Sequence, residues 1–306
     1  MRRATLLSVG ALTLDTILKV DTLPREQGKF VASGGMTIAS GMAASAACAA
    51  QRLGADAWLW ASAGDDAAGE QLISGIAADG VNCSLVRRVA GGRSAISAVI
   101  IDDAGERVIV PYYDPVTQAD PVALPMDIGR FDAVLADVRW PGAAALALTG
   151  ARDAGRAAIL DADTAPREVL ERLIPMATHV VASEQAARIL CGALPPQAAC
   201  AAIAGRAGVF VAVTAGAAGT WWRDKGSDMV RHVAAPRVTA IDTLAAGDVF
   251  HGGFAVGLAE GMQPEAALRL ASAAAAIKCT RFGGRLGAPG RAETLALVEE
   301  TWGTAG

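Results

Sequence analysis

Aromatic residues supply only 5% of this 306-residue chain, so its 53% hydrophobic content rests mainly on small aliphatic side chains. That much apolar mass excludes intrinsic disorder and suits tightly packed α/β layers. Cysteine is sparse: Cys48, Cys83, Cys191, Cys200 and Cys279 are scattered and never spaced as C-x-x-C. This excludes a disulfide framework or zinc ribbon and fits a reducing, cytoplasmic setting. Three histidines form no H-E-x-x-H. Lys and Arg total 27 against 31 Asp and Glu, with no long basic run, so nucleic acid is not an expected partner. A membrane is not expected either. Ala32–Ala50 is uncharged but rich in Gly, Ser and Ala, with almost no Leu. Met1-Arg2-Arg3 before the apolar Ala4–Leu14 imitates a signal peptide, yet no A-x-A site follows and Asp15 closes the run.

What is present alternates. Leu6–Leu14, Ala57–Ala61, Ala133–Ala136, Ala157–Leu160, His179–Ala182 and Val209–Thr214 read as strands buried on both faces. Amphipathic segments at Ala43–Leu53, Gly69–Asp79, Ala143–Ala154, Pro166–Ile174 and Glu184–Cys191 read as helices between them. This rhythm predicts a mostly parallel sheet covered by helices on both sides. Two stretches break it, Thr16–Ser33 and Ser94–Tyr113, where strands without helices predict a small sheet over one end of the core. In the second, Ser97–Ile101 and Arg107–Pro111 flank a turn at Asp102-Asp103. The expectation is a single domain over 1–306, with a discontinuous lid from about 14–36 and 92–113. After Asp242, helices dominate: Asp248–Gly261, Pro264–Arg281 and Ala292–Trp302.

The chemistry concentrates at Ile241-Asp242-Thr243-Leu244-Ala245-Ala246-Gly247-Asp248. Small residues from Ala245 to Gly247 admit a ligand close to the backbone, and a helix start offers unpaired N–H groups to a phosphate. Asp248, in the first turn, is placed to accept a proton from an attacking hydroxyl, or simply to balance the helix dipole. Near the N-terminus, Ser33-Gly34-Gly35 and Ser40-Gly41-Met42-Ala43-Ala44-Ser45 lead into a helix, as a polyol-binding loop or as a plain connection. Val213-Thr214-Ala215-Gly216-Ala217-Ala218-Gly219 ends a strand in a glycine turn able to admit a nucleotide. No Walker A sequence exists, and no G-x-G-x-x-G follows the first strand. His251 is expected to pack, and Trp221-Trp222 to begin a strand.

Gly41 to Gly54 and Asp242 to Phe254, in this order around Asp15, the lid strands and Thr214–Gly219, resemble the two signatures of the ribokinase-like (PfkB) carbohydrate kinases across nearly the whole chain. The resemblance implies a three-layer α/β/α fold with a β-sheet lid, and an ATP- and magnesium-dependent phosphotransferase acting on a primary sugar hydroxyl. Asp248 would be the base, with the Ala245, Ala246 and Gly247 amides as anion hole. Asp15, Gly41 and Ser45 would bind sugar, and Thr214, Gly216, Gly219 and Cys279 would lie along ATP. Asp242, with the Thr280–Gly284 turn, would hold potassium, and the lid's free edge would make a homodimer.

Lys29-Phe30-Val31-Ala32, Leu135–Trp140 and Lys278–Arg281 resemble the sulfofructose-kinase branch, which implies that Lys29 and Arg139 face an anionic sugar. The chain departs from the pattern in several places. Ala245 replaces a glycine, Ser45 replaces an asparagine, and Pro111 stands where that branch presents an asparagine. The family's N-x-x-E reads Ser183-Glu184-Gln185-Ala186, so Glu184 is left to approach magnesium through water. A neutral sugar such as fructose or ribose, or a catalytically silent binding homologue, remains the alternative.

Overall fold

Alternate residues of β1 (Thr5–Gly10) enter different cores: Leu6 packs on one side of the sheet, Leu7 and Val9 on the other. In the computed structural model, which describes residues 3–303, the same two-residue alternation recurs along the central sheet. Because both faces are covered, these strands read as unbroken apolar runs.

From β1 the chain enters β2 (Thr13–Lys19), β3 (Gly34–Ser40), α1 (Met42–Arg52), β4 (Asp56–Gly64), α2 (Ala67–Ala77) and β5 (Arg87–Val89). A hairpin of β6 (Ala95–Ile101) and β7 (Arg107–Tyr112) follows. Then come β8 (Ala133–Asp137), α3 (Pro141–Asp153), β9 (Ala157–Ala162), α4 (Arg167–Leu173), β10 (His179–Ser183), α5 (Glu184–Cys191), α6 (Pro196–Ala207) and β11 (Phe210–Thr214). An antiparallel edge, β12 (Thr220–Arg223) and β13 (Arg231–Val233), precedes α7 (Ala246–Ala259), α8 (Pro264–Cys279) and α9 (Arg291–Trp302).

The nine-stranded sheet runs β13-β12-β11-β10-β9-β8-β1-β4-β5 and is parallel from β11 to β5. Helices α1, α2, α7 and α8 contribute to the core on one face, and α3 to α6 to the core on the other. A separate four-stranded sheet, β3-β2-β6-β7, forms the lid. Its inner face presents Asp15, Ile17, Ser97 and Val99, set opposite one another by the β2–β6 register.

Several expectations shift. The run Leu6–Leu14 is not one strand. It breaks at Gly10, whose φ of +139° turns the chain out of the core sheet and into the lid. The second lid strand is Gly34–Ser40, after Ser33 rather than within Thr16–Ser33. Helix α6, introduced by Pro196 at its first turn, escaped the sequence reading because its apolar residues are nearly all alanine. The turn at Asp102-Asp103 is exposed on one residue only: Asp102 is buried and its Oδ1 accepts from the N–H groups of Ala104 and Glu106, while Asp103 stays outside with Lys19. Met1 and Arg2, part of the charged start, lie outside the described residues. Among the described residues no single helix is long and apolar enough to cross a membrane.

Candidate active site

A cleft of about 720 Å³ opens at the carboxyl ends of β1, β8, β9, β10 and β11, where ligands enter open α/β sheets, and the lid's inner face closes one side of it. Asp15, Gly41, Arg139, Thr214, Gly216, Glu184, Ala245, Gly247 and Asp248 all line it. Residues as distant in sequence as 15 and 248 are thereby brought to one cavity.

At the late helix, Ala245 adopts φ +62°, the only non-glycine residue with positive φ among the described residues. It caps α7 in the left-handed region, a strained conformation of the kind that clusters at functional sites. The first-turn N–H groups of Gly247 and Asp248 have no acceptor within the helix by position, and nothing lies within 4 Å of where a Gly247 side chain would start. Ala246 departs from the expected anion hole. Its N–H points to the Thr243 carbonyl at 3.3 Å, and it does not line the cleft.

Asp248 is half-buried and lines the cleft. Burial, reinforced by the negative charge of Asp161, holds its carboxyl well above the ordinary range, and His251 opposes this. His251 packs as expected, with Nδ1 2.7 Å from the Gly247 carbonyl, but its Nε2 also lies 3.3 Å from Asp161 at the cleft wall. Burial lowers its own pKa, against the pull of Asp248. The sequence reading passed over Asp161, Asp163 and Arg107. The signal for the first two was a pair of carboxylates at the carboxyl end of a buried strand. A raised carboxylate pKa means that the basic form is lost as pH falls through a value above the usual range. Asp161→Asn removes a neighbouring negative charge, so the acidic limb of kcat/KM moves to lower pH. It does not reach that of an ordinary carboxylate, because burial remains the larger cause. A pH–rate profile of the variant with an unmoved acidic limb would contradict the pairing.

Beneath the lid, Asp15 Oδ1 accepts from Thr13 Oγ1 at 2.7 Å and Ser97 Oγ at 2.8 Å, with burial raising its pKa against those bonds. Gly41 precedes α1 with φ +108°, and a Cβ there would lie 2.5 Å from the Ala11 carbonyl oxygen, so only glycine fits. Ser45 does not reach the cleft: it is buried behind Ser40, with their Oγ atoms 3.4 Å apart. Lys29 is exposed on the irregular stretch between β2 and β3 and does not line the cleft. Arg139 does line it, but its guanidinium donates to the Thr164 carbonyl at 2.8 Å and faces Asp163 at 3.6 Å. Arg107, from the lid, donates to Thr243 Oγ1 at 2.6 Å and so ties the lid to the loop before α7.

Beyond β11, Thr214 and Gly216 line the cleft, whereas Gly219 serves the turn into β12 with φ +90°. Cys279 is also outside the cleft. Its carbonyl oxygen accepts from Ile241 and Asp242, so its part is structural. Ser183 caps α5 through the Ala186 N–H and donates to Asp163, while Glu184 pairs with Arg188. Among the described residues no group of three His, Cys, Asp or Glu forms a metal cage. Glu184 and Asp163 both line the cleft. Asp242 is different: it is buried, and both of its oxygens are already occupied.

The model of the pfkB family carbohydrate kinases matches residues 3–291. A provisional ribokinase from Agrobacterium tumefaciens has a solved structure that is 46% identical, with a TM-score of 0.96 and coverage of 99% of this chain and 100% of that one. The ribokinase of Bacillus subtilis is 27% identical over 95% of this chain and 98% of its own length. The Arabidopsis thaliana ribokinase, solved with ribose and ATP, is 24% identical with a TM-score of 0.82, covering 97% of this chain and 99% of that one, a likeness of fold. With the family's signatures at the cleft and its model spanning nearly every residue, this chain belongs to the pfkB family of carbohydrate kinases, transferases that phosphorylate sugar hydroxyls.

Proposed function

We propose that the chain transfers the terminal phosphoryl group of ATP to a primary hydroxyl of a neutral, ketose- or pentose-type sugar. The observation that carries the choice of sugar is the charge at the cleft. Six carboxylates line it (Asp15, Glu106, Asp161, Asp163, Glu184 and Asp248) against three guanidiniums (Arg107, Arg139 and Arg188). Arg139 and Arg188 are paired with Asp163 and Glu184, and Arg107 donates to the Thr243 hydroxyl. Lys29, which the sulfosugar reading needed, is outside. A sulfonate would meet an excess of negative charge there, with Arg107 the one lining guanidinium whose partner is a hydroxyl rather than a carboxylate, whereas Asp15 with its two hydroxyl donors suits sugar hydroxyls.

Magnesium bound with the nucleotide would neutralise phosphate charge as the group transfers. The chain supplies the rest. Asp15 orients the sugar, and Asp248 takes the hydroxyl proton as that oxygen attacks the terminal phosphorus. The phosphoanhydride bond breaks to leave ADP, and the Gly247 and Asp248 amides receive the transferring oxygens. The lid, pinned through Arg107 to Thr243, excludes water.

A coupled ADP-release assay over ribose, fructose, other neutral sugars and their sulfonated and phosphorylated counterparts tests this. Turnover confined to the anionic sugars would reject the neutral assignment, and no turnover on any sugar would favour a silent homologue.

The lid also carries the case for a homodimer. Leu18, Ile96, Val108, Val110 and Tyr112 stand exposed on its outer face, and β3 and β7 are free edges. Static light scattering is expected to give twice the chain mass, and Ile96→Lys with Val110→Lys the single mass. A wild-type monomer would overturn the interface. Five free cysteines fit a reducing compartment such as the cytoplasm, with burial pushing the thiols of Cys48 and Cys200 up to about 12.

A further inference from the structure

Lys278 is the one lysine with no exposed side-chain surface among the described residues, and the phosphoryl-transfer steps above make no use of it. It lies in the last turn of α8, with Nζ 3.1 Å from Asp242 Oδ2 and 2.6 Å from the Asp242 carbonyl oxygen. Asp242 is equally hidden, with 1% of its side chain exposed.

Backbone amides supply the other donors to the carboxylate. Oδ1 accepts from the Leu244 N–H at 2.7 Å, and Oδ2 accepts from the N–H groups of Gly283 at 3.0 Å and Gly284 at 2.9 Å. A carboxylate oxygen offers about two lone-pair directions; three donors crowd Oδ2, the oxygen that meets Lys278, and one takes Oδ1. A monovalent metal ion at this point would need those same oxygens. It would also meet an ammonium already in place, leaving two positive charges buried against one negative.

The cluster stands at a structural junction. Asp242 precedes by three residues the strained Ala245 that starts α7, and Gly283 and Gly284 form the turn after α8. The Cys279 carbonyl oxygen clamps the same two segments from the other side, accepting from the Ile241 and Asp242 N–H groups at 2.7 and 3.1 Å. One buried positive charge therefore holds in register the loop whose end presents the amides to the cleft.

We infer that the Lys278 ammonium is a built-in cation at the position where the family resemblance places potassium, and that it positions the anion-hole loop so that the chain works without a monovalent metal. The inference rests on the phosphoryl-transfer reading for its kinetic consequence only; its structural half stands apart from that reading.

The test uses the whole protein in KCl, NaCl and choline chloride at equal ionic strength. Wild-type melting temperature and, with an active sugar, kcat are expected to be the same in all three. Wild-type crystals soaked in rubidium chloride are expected to show no anomalous peak at Asp242. Lys278→Met should lose about 10²-fold in kcat, the cost of a loop displaced by an ångström or so. Potassium, but not choline, should restore both its rate and its melting temperature. A purely structural lysine would lower stability with no potassium-selective recovery of kcat, and that result would count against the positioning role. Activation or stabilisation of the wild type by potassium over sodium, or rubidium bound at Asp242, would overturn the inference. Those wild-type measurements decide it even if Lys278→Met does not fold. The melting and rubidium arms need no turnover, so they remain decisive if every sugar fails.

Discussion

Asp248→Asn is expected to lower kcat by roughly 10²- to 10⁴-fold, the usual contribution of a positioned general base, while ATP affinity stays within about twofold. Asparagine keeps the shape of the side chain, so α7 and its first-turn amides are undisturbed, but it has no carboxylate to receive the hydroxyl proton. In the proposed mechanism the base is held where it works: it is half-buried at the helix start and lines the cleft, one turn before His251, whose Nδ1 rests on the Gly247 carbonyl. Burial and Asp161 hold its pKa up, which strengthens it as a proton acceptor at the moment sugar and nucleotide arrive. Steady-state rates with the best sugar, together with calorimetric titration of a non-hydrolysable ATP analogue, separate the two effects. Loss of nucleotide affinity equal to the loss of rate would make Asp248 a phosphate-loop residue instead. Unchanged turnover would remove it from the chemistry altogether.

Asp137→Ala is expected to destabilise the protein by roughly 3–5 kcal/mol, since two buried N–H donors and one part-buried one would lose a charged acceptor together. Asp137 ends β8 with 1% exposure. Its Oδ2 accepts from the Ala11 N–H at 2.8 Å and the Ala43 N–H at 3.0 Å, and its Oδ1 from the Arg139 N–H at 2.8 Å. One carboxylate thus ties together the root of the lid, the start of α1 and the loop carrying Arg139. Burial pushes its carboxyl up while these N–H groups pull it down. The loss does not depend on relief of a buried charge, because the donors are orphaned in either protonation state. Gly10 belongs to the same lock, since a Cβ there would fall 2.2 Å from the Asp137 carboxylate carbon. Asp137→Asn, which keeps one acceptor oxygen, should fall between alanine and wild type in denaturant unfolding, and its KM for sugar should rise because Asp15 lies on the strand that the lock anchors. Stability of Asp137→Ala within about 1 kcal/mol of wild type would show that water replaces the carboxylate at little cost.

Much of this was legible in order along the chain. A buried parallel strand must be apolar throughout, so Ala133–Ala136, Ala157–Leu160 and His179–Ala182 announced themselves, and the hairpin from Ser97 to Pro111 followed from its turn. The small-residue run before Asp248 marked the helix start because only small residues let a backbone approach a ligand, and both the helix and the cleft lie there. These are local facts, fixed by pattern within about ten residues.

The positions that differed depend on distant partners. Gly10 breaks the first strand because Asp137 fills the space beside it, and nothing near residue 10 foretells a carboxylate 127 positions away. Lys29 was expected in the cleft by likeness of sequence, but the path of the irregular segment before β3 carries it to solvent. Ser45 turned inward because Ser40 stands between it and the cavity. Asp242 and Lys278, separated by 36 residues, meet only because α8 folds back along α7. The sequence alone determined the layers, the lid hairpin and the helix start that carries Asp248, since each is written in neighbouring residues. Which charges are free and which are already matched was decided by tertiary structure, because the energy of a buried charge depends on the partner that packing brings to it.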